Sequence, residues 1–221
     1  MQRAAVTGAN RGIGLEIVRQ LRERGDEVIA ICRQSSDELE RTGARIVAAI
    51  DIGEPDGVEH LAREVGPESL DMLINNAGIL QPETLGEHGW EDSIRRQFEI
   101  NALGPLRVTL ALSSLLGRGS KVGIVSSRVG SLTDNGSGGN YGYRMSKAAV
   151  NMAGVNLAHE LKRRGIAVFL LHPGYVRTAM TGGGGSKEAA AAGRELVALI
   201  DRLTLADTGS FWHADGYPLP W

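Results

Sequence analysis

Cysteine and long apolar runs are nearly absent from this sequence. Cys32 is the only cysteine among 221 residues, so the chain forms no internal disulfide. Its place in an apolar run favours a buried structural thiol over a reactive one. No stretch approaches the about 18 apolar residues of a membrane-spanning helix. Only three apolar residues follow Met1-Gln2-Arg3, too few for a signal peptide. These absences predict a cytoplasmic protein without a membrane segment.

An excess of one charge sign is also missing. The 24 Lys and Arg residues nearly balance the 26 Asp and Glu residues, the net charge is −2, and both signs are mixed along the chain. A protein whose main ligand is a nucleic acid or an anionic membrane surface would carry a basic patch or run. The composition therefore predicts neither partner.

Motifs of two other chemistries are absent. There is no G-x-S-x-G elbow of a serine hydrolase, no H-E-x-x-H motif and no cysteine cluster for a metal. The histidines are scattered, and we interpret each as a surface or satisfied core residue: His60, His88, His159, His172 and His213. The sequence predicts no metal site.

Short apolar runs alternate with helix-forming segments along the whole chain. Runs that are apolar throughout are typical of strands covered on both faces. The predicted strands are Ala4–Val6, Glu27–Cys32, Arg45–Ile50, Asp71–Ile74, Lys121–Val125, Ile166–Leu171 and Gly209–Trp212. The main predicted helices are Asn101–Leu116, Tyr143–Arg164 and Glu188–Leu203. This alternation predicts an α/β protein with a parallel sheet, in a single domain over residues 1–221.

Three glycines follow the first predicted strand, at Gly8, Gly12 and Gly14. Their spacing differs from G-x-G-x-x-G, but the physical effect is the same. Without side chains, the backbone can approach a pyrophosphate that faces the N-terminus of the next helix. A tight strand-to-helix connection without a ligand is the alternative. The position after the first strand of a parallel sheet favours dinucleotide binding.

The end of the second predicted strand reads Ile31-Cys32-Arg33 and contains no acid to bind a free ribose 2′-hydroxyl. A guanidinium at this position fits the 2′-phosphate of NADP, aided by Arg11, so NADP(H) is the preferred cofactor and NAD(H) the alternative. Arg33 as an ordinary surface residue also stays open. Asp51 is expected either at the adenine edge or as the cap of a turn.

Polar residues follow two later strands. Asn75-Asn76-Ala77-Gly78 either ties neighbouring loops together or contacts the cofactor. Ser126-Ser127 places a hydroxyl on the sheet edge where we expect Tyr143, so a serine and the tyrosine would bond one substrate oxygen.

Tyr143 and Lys147 are four residues apart at the head of an Ala-rich helix, and therefore on one helix face. An ammonium beside a phenol favours its ionised form and lowers its pKa, as a tyrosine acid/base requires. The spacing alone also arises by chance, so the other motifs must support it.

Two segments lack a regular pattern. Residues 132–140 are rich in Gly, Ser and Asn, and residues 182–185 are four successive glycines. Both are interpreted as mobile loops near a site, with a plain flexible linker as the alternative for 182–186. Residues 187–221 form a predicted C-terminal substrate or interface region. Its aromatic and proline residues would wall a pocket or fill a core or subunit interface: Phe211, Trp212, Tyr217, Pro218, Pro220 and Trp221.

Taken together, these residues resemble the classical short-chain dehydrogenase/reductase superfamily from Ala4 to about Thr178. The motifs stand in the family's order: Thr7-Gly8 through Gly14, Asp51-Ile52, Asn75 to Gly78, Asn101, Ser127, Tyr143 with Lys147, and Pro173-Gly174 leading to Thr178. A closer similarity is to the C-factor-like branch, named for a cell-contact signal. It is carried by Ile100–Thr109, Tyr143–Ala149, Leu170–Gly174 and the terminal Pro220-Trp221.

The resemblance implies a Rossmann fold with a doubly wound parallel sheet of about seven strands and helices on both faces. It implies that Tyr143 is the acid/base and that Lys147 binds the nicotinamide ribose and lowers the tyrosine pKa. Ser127 would orient the carbonyl, and Asn101 would hold a water that relays protons. The implied cofactor-binding residues are Gly8, Asn10, Arg11, Gly12, Ile13, Gly14, Arg33, Asp51, Ile52, Asn76, Ala77, Gly78, Tyr143, Lys147, Pro173, Gly174, Val176 and Thr178.

Two functional hypotheses follow. The first is an NADP(H)-dependent oxidoreductase that interconverts a carbonyl and an alcohol on a small-molecule substrate. The second is a signalling or regulatory protein that binds the dinucleotide with little or no required catalysis. The segment after Thr178 is short, so the substrate is not readable. We expect a homodimer or homotetramer in which the small residues Ala149, Ala153 and Ala158 face outward.

Overall fold

In the computed structural model, which describes residues 1–221, the apolar runs form strands as expected. The strands are β1 (Arg3–Thr7), β2 (Glu27–Ile31), β3 (Arg45–Val47), β4 (Leu70–Asn75), β5 (Leu116–Val125), β6 (Ala167–His172), β7 (Val176–Arg177), β8 (Lys187–Glu188) and β9 (Ser210–His213). The helices are α1 (Gly12–Glu23), α2 (Asp37–Glu40), α3 (Leu61–Val65), α4 (Trp90–Phe98), α5 (Gly104–Ala111), α6 (Tyr141–Lys162) and α7 (Ala189–Arg202).

Seven strands form one parallel sheet in the order β3-β2-β1-β4-β5-β6-β9. The strand order reverses between β1 and β4, and the crevice above the carboxyl ends of these strands is where a doubly wound sheet binds ligands. The predicted Rossmann fold with seven parallel strands is confirmed.

Two apolar layers cover the sheet. On one face α1 and α7 pack together, with Leu21 and Ile200 fully buried. On the other face the helices from α3 to α6 bury side chains such as Val108 and Leu157. Because both faces are covered, the central strands carry few polar residues, and polar side chains concentrate at the strand ends.

Several predicted element boundaries are wrong. The helix predicted to end at Leu116 ends at Ala111, and Leu116 instead begins β5, which was predicted to begin at Lys121. Strand β3 ends at Val47 because the chain turns at Ala49, which has a φ of +62°, so Asp51 lies four residues beyond the strand. The helix expected to begin at Asn101 already begins at Trp90. It runs from α4 through a π-helical segment, Glu99–Leu103, into α5. Apolar periodicity does not reveal such a segment, because the π turn shifts the helix face.

Ala158 does not face outward as expected. It is 3% exposed, and the last strand approaches it so closely that a Cβ on Gly209 would lie 3.3 Å from the Ala158 Cβ. Ala149 does not face fully outward either, since it is partly buried against the same apolar core that contains Ala158. The large exposed apolar side chains on α5 and α6 are Leu110, Tyr141, Met145 and Met152.

The glycine-rich segment is closed by hydrogen bonds. Strands β7 and β8 pair in parallel at its base. The Thr181 Oγ1 atom accepts from the Thr178 amide at 3.1 Å and lies 3.0 Å from the Val176 carbonyl oxygen.

The C-terminal aromatic residues pack beside β9. Phe211 is buried and stacks on Trp221 with ring centroids 5.5 Å apart, and none of the C-terminal aromatics lines the large cavity described below.

None of the helices combines the length and the apolar character needed to span a membrane.

Candidate active site

A cavity of about 1070 Å³ opens at the carboxyl ends of the strands, at the upper end of the range for ligand pockets. Every predicted site residue lines it except Gly14 and Asn101, which pack against the lining residues Gly8 and Gly78. The lining includes Gly8, Asn10, Arg11, Gly12, Ile13, Arg33, Asp51, Ile52, Asn76, Ala77, Gly78, Ser127, Tyr143, Lys147, Pro173, Gly174, Val176 and Thr178.

The glycine turn between β1 and α1 has no room for side chains. Gly8 and Gly12 have φ values of +64° and +56°, and a Cβ on Gly8 would lie 2.8 Å from the Ala77 Cα. A Cβ on Gly14 would lie 2.2 Å from the Gly8 carbonyl oxygen. This backbone cradle at the start of a helix of 12 residues fits the pyrophosphate of a dinucleotide.

Asn76 ties the glycine turn to the end of β4. Its amide Nδ2 donates to the Thr7 carbonyl at 3.1 Å and to the Gly8 carbonyl at 3.3 Å. The Thr7 hydroxyl accepts from the backbone amides of Asn76 and Ala77 at 3.0 and 3.1 Å. The sequence left two roles open for the segment from Asn75 to Gly78, a tie between neighbouring loops or contact with the cofactor. These bonds show the tie between loops. Thr7, which the sequence indicated only as part of the glycine-turn motif, belongs to this network.

At the adenosine end, Arg33 is exposed and only weakly neutralised. Its Nη1 lies 3.9 Å from the Asp51 Oδ2, whereas Arg96 approaches the same carboxylate to 3.0 Å. Arg11 is also exposed on the cavity wall. Two guanidinium groups therefore face the region where a 2′-phosphate would lie. Asp51 also caps its own turn, since it accepts from the Gly53 amide at 2.9 Å.

Tyr143 lies in the first turn of α6, and it lines the cavity together with Ser127, which follows β5. Burial raises the pKa of Tyr143 to about 12, while the interaction with the Ser127 hydroxyl lowers it. This direction is opposite to the one expected from a neighbouring ammonium. The reason is that desolvation of the phenolate outweighs the favourable interactions in the ligand-free site. The phenol is therefore a proton donor at neutral pH.

The Lys147 side chain is buried one turn further along α6. Its Nζ donates to the Val125 carbonyl at 2.9 Å and lies 5.7 Å from the centre of the Tyr143 ring. Burial lowers the pKa of Lys147 to about 8. The helix approaches the turn after β5 closely, because a Cβ on Gly130 would lie 2.7 Å from the Lys147 carbonyl carbon.

Asn101 lies in the π-helical segment and joins two parts of the site. Its Oδ1 accepts from the Ile79 amide at 2.8 Å, and its Nδ2 donates to the Ile79 carbonyl at 2.8 Å and to the Ser146 hydroxyl at 3.0 Å. Pro105 has no N–H, so the backbone carbonyl of Asn101 lacks its α-helical donor. A Cβ on Gly78 would crowd both Asn101 Oδ1, at 3.1 Å, and Lys147 Nζ, at 3.7 Å.

The second serine of the pair is the one aimed at Tyr143. Ser126 instead donates to the Asn151 Oδ1 at 2.5 Å inside the protein. The side chains of Ser126 and Ser127 therefore point in different directions, as successive side chains along an extended chain do. This difference agrees with the choice of Ser127 as the catalytic candidate.

Sequence reasoning missed His172 and Arg144, which both line the cavity. The histidines are not all isolated, since the rings of His172 and His213 are 5.0 Å apart. The His172 Nδ1 is buried without a partner, and burial lowers the pKa of this ring to about 3. For both residues the only sequence signal was adjacency to a motif residue: His172 precedes Pro173, and Arg144 follows Tyr143.

The sheet order, with a glycine turn at the point of reversal, is that of a dinucleotide-binding α/β protein. More narrowly, the chain belongs to the short chain dehydrogenase family, whose model matches residues 2–189. The resemblance noted from the sequence motifs is thereby confirmed, and with it the oxidoreductase class.

Two relatives and one solved structure stand out among the similar proteins. The chain is 44% identical, over the whole of both chains, to 1-hydroxy-2-glutathionyl-2-methyl-3-butene dehydrogenase of Rhodococcus sp.. It is 43% identical to C-signal of Myxococcus xanthus over 69% of this chain and 93% of that protein, which places it near the C-signal-like branch. An NADPH-bound carbonyl reductase from chicken fatty liver superposes over 100% of this chain and 99% of its own, with a TM-score of 0.88 and 26% identity.

Proposed function

We propose that this protein is an NADP(H)-dependent reductase or dehydrogenase that interconverts a carbonyl and an alcohol on a small organic molecule. One observation carries the proposal: Tyr143 and Ser127 share a single cavity with Lys147 and the glycine turn. An acid/base, a group that orients the carbonyl and a dinucleotide cradle are the components that this reaction needs.

The residues of the chain have distinct roles in the proposed mechanism. Ser127 and the Tyr143 hydroxyl bond the substrate carbonyl oxygen, and Tyr143 delivers a proton to it as the alcohol forms. Lys147 binds the nicotinamide ribose hydroxyls with its ammonium, whose charge favours the phenolate that remains. Asn101 holds a water that returns a proton toward Lys147. When bound, NADPH supplies the hydride for the carbonyl carbon.

The assignment of NADP(H) as the cofactor rests on residues that line the cavity. The turn from Gly8 to Gly14 would hold the pyrophosphate, and Arg33 with Arg11 would bind the 2′-phosphate, as no acid follows β2 to select the free hydroxyl. The backbone of Val176 would bind the carboxamide, and Thr178 would lie near the phosphates. The NADPH bound to the chicken reductase supports this preference over NAD(H).

Tyr143→Phe tests the proposal. The variant should lose reduction of any carbonyl that the protein accepts, by about a hundredfold or more, because the proton donor is gone. NADPH affinity, measured by fluorescence titration, should stay close to that of the native protein, and NADH should bind both proteins more weakly. A variant that keeps its turnover would contradict the role of Tyr143.

The substrate screen has a natural starting point. The Rhodococcus relative is named as a dehydrogenase of an alcohol that carries a glutathionyl group, so alcohols and carbonyls of this kind come first in a panel with NADP and NADPH.

A second candidate function comes from the similarity to C-signal. In this hypothesis the protein is a signal or regulator that needs the bound dinucleotide but not its chemistry. A cellular role that survives Tyr143→Phe but is lost together with NADPH binding would favour it over the enzyme.

A further inference from the structure

The substrate end of the cavity carries an unneutralised cation, Arg144. It follows Tyr143 in the first turn of α6, and its side chain is part of the cavity wall. The guanidinium forms no ion pair. Its three hydrogen bonds all go to neutral acceptors: the Gly138 carbonyl at 3.1 Å, the Val129 carbonyl at 3.3 Å and the Ser137 hydroxyl at 2.8 Å.

A neighbouring arginine on the same wall shows the contrast. Arg128 Nε lies 2.7 Å from the Asp134 carboxylate, so this guanidinium is neutralised within the protein. Lys147, the remaining cation in this part of the cavity, is buried, donates to the Val125 carbonyl and is assigned to the cofactor ribose. Arg144 is therefore the cation at the substrate end that is both on the wall and without a counter-ion.

The hydrogen bonds of Arg144 also fix the position of its guanidinium before a ligand binds. A guanidinium has five N–H groups, and these three bonds leave two of them free. The bond to Val129 anchors the group two residues after Ser127. Since two residues span at most about 7 Å, the cation lies within about 10 Å of the Ser127 backbone. A fixed cation loses little entropy on binding an anion, and a planar guanidinium suits a carboxylate.

We infer that Arg144 selects substrates that carry a carboxylate or a similar anionic group. In such a substrate the anionic group and the reacting carbonyl lie at opposite ends of a small molecule. This inference rests on the proposed function and names a substrate class for the same site. The alternative role is a purely structural clamp of residues 129–140. A clamp needs only N–H donors, so it does not account for an unpaired charge on the cavity wall.

A pair of aldehydes that differ only in charge separates these roles. The probes are para-formylbenzoate and its methyl ester, reduced with NADPH. The native protein should prefer the acid by about tenfold or more in kcat/KM, the usual size of a hydrogen bond to a charged group. Arg144→Gln should remove most of this preference, mainly through the KM of the acid, because the interaction is uniform binding.

The control variant removes an equal charge outside the cavity. Arg163→Gln, at an exposed arginine just after the end of α6, should keep a preference for the acid within about twofold of the native value. A preference that survives Arg144→Gln, or that is lost equally in Arg163→Gln, would overturn the inference.

Calorimetric titration keeps the two proposals separate. The acid and the ester are titrated into the native protein and into Arg144→Gln, with and without NADP, so that no turnover is required. Tighter binding of the acid to the native protein, lost in the variant, supports the role of Arg144 even if neither aldehyde is reduced. The missing reduction would then count against the proposed reaction alone. Equal affinities for acid and ester would overturn the inference even if both aldehydes are reduced.

Discussion

Burial moves the pKa values of Tyr143 and Lys147 in opposite directions, because in each case it disfavours the charged form. Tyr143, with a pKa of about 12, is ionised in only about one molecule in 100,000 at pH 7. At neutral pH the phenol is therefore protonated. Alcohol oxidation, which needs the phenolate as the base, should gain more from a rise in pH than carbonyl reduction does.

Lys147 makes NADPH affinity depend on pH. Its ammonium is needed for the ribose, and its pKa of about 8 means that the free protein loses this charge as pH rises through that value. NADPH binding, measured by fluorescence titration between pH 7 and 10, should weaken above about pH 8. Lys147→Met should bind weakly throughout and show no such inflection. An identical pH dependence in this variant would contradict the assignment.

The stability of the same variant distinguishes loss of the site from misfolding. A lysine with a folded pKa near 8 and an ordinary value of 10.5 costs the native state roughly 3 kcal/mol below pH 8. This cost falls as pH rises from 8 to 10.5, because the unfolded chain then binds the additional proton. Lys147→Met should therefore be more stable than the native protein at pH 7, although it binds NADPH poorly.

At the scale of elements, the site depends on the close approach of β1, α1 and the end of β4. The glycine turn and Asn76 hold these three segments together, and each contact involves backbone atoms that cannot move aside. This rigid support holds the glycine turn in the shape that binding of a pyrophosphate requires.

Gly14→Ala should destabilise the protein, although alanine is the better helix former by about 1 kcal/mol. Its Cβ would lie 2.2 Å from the Gly8 oxygen and 2.4 Å from the Asn76 Nδ2. We expect a loss of about 1–3 kcal/mol in urea unfolding, as for other overpacked sites, together with weaker NADPH binding. Gly117→Ala is the control, since nothing lies within 4 Å of its added Cβ. Equal stabilities for the two variants would contradict this view of the turn.

The whole molecule exposes large apolar side chains on α5 and α6. Leu110, Met145 and Met152 are 62%, 50% and 64% exposed, and the last two lie on the helix that carries Ala149 and Ala153. Exposed large apolar side chains are typical of a surface that is buried in an oligomer. We propose a homodimer or homotetramer built on this surface.

Light scattering checks the assembly. The native protein should have a mass of at least twice 23.5 kDa. Met152→Lys should shift the mass toward the monomer, because it places a charge in the apolar contact. Leu132→Lys, at an exposed apolar residue in the loop before α6, should leave the mass unchanged. A monomeric native protein would contradict the proposal.

The sequence by itself determined the order of strands and helices, the glycine turn and the face shared by Tyr143 and Lys147. These features depend on neighbours within a few residues, through helical spacing, backbone freedom at glycine and apolar runs. Almost all of the residues that the family order of the motifs assigned to the site lie on the cavity wall, although they form less than half of its lining. Local patterns did not reveal the π segment around Asn101 or the inward position of Ala158.

Only the tertiary structure decided the charges of the site. The pKa of Tyr143 rises, and that of Lys147 falls, because segments distant in sequence remove water from both. Asp134 neutralises Arg128 across six residues, while no carboxylate reaches Arg144. Adjacency in sequence gave no sign of this difference. Desolvation and ion pairing depend on three-dimensional distance, which is set when the loop before α6 packs against the end of β5.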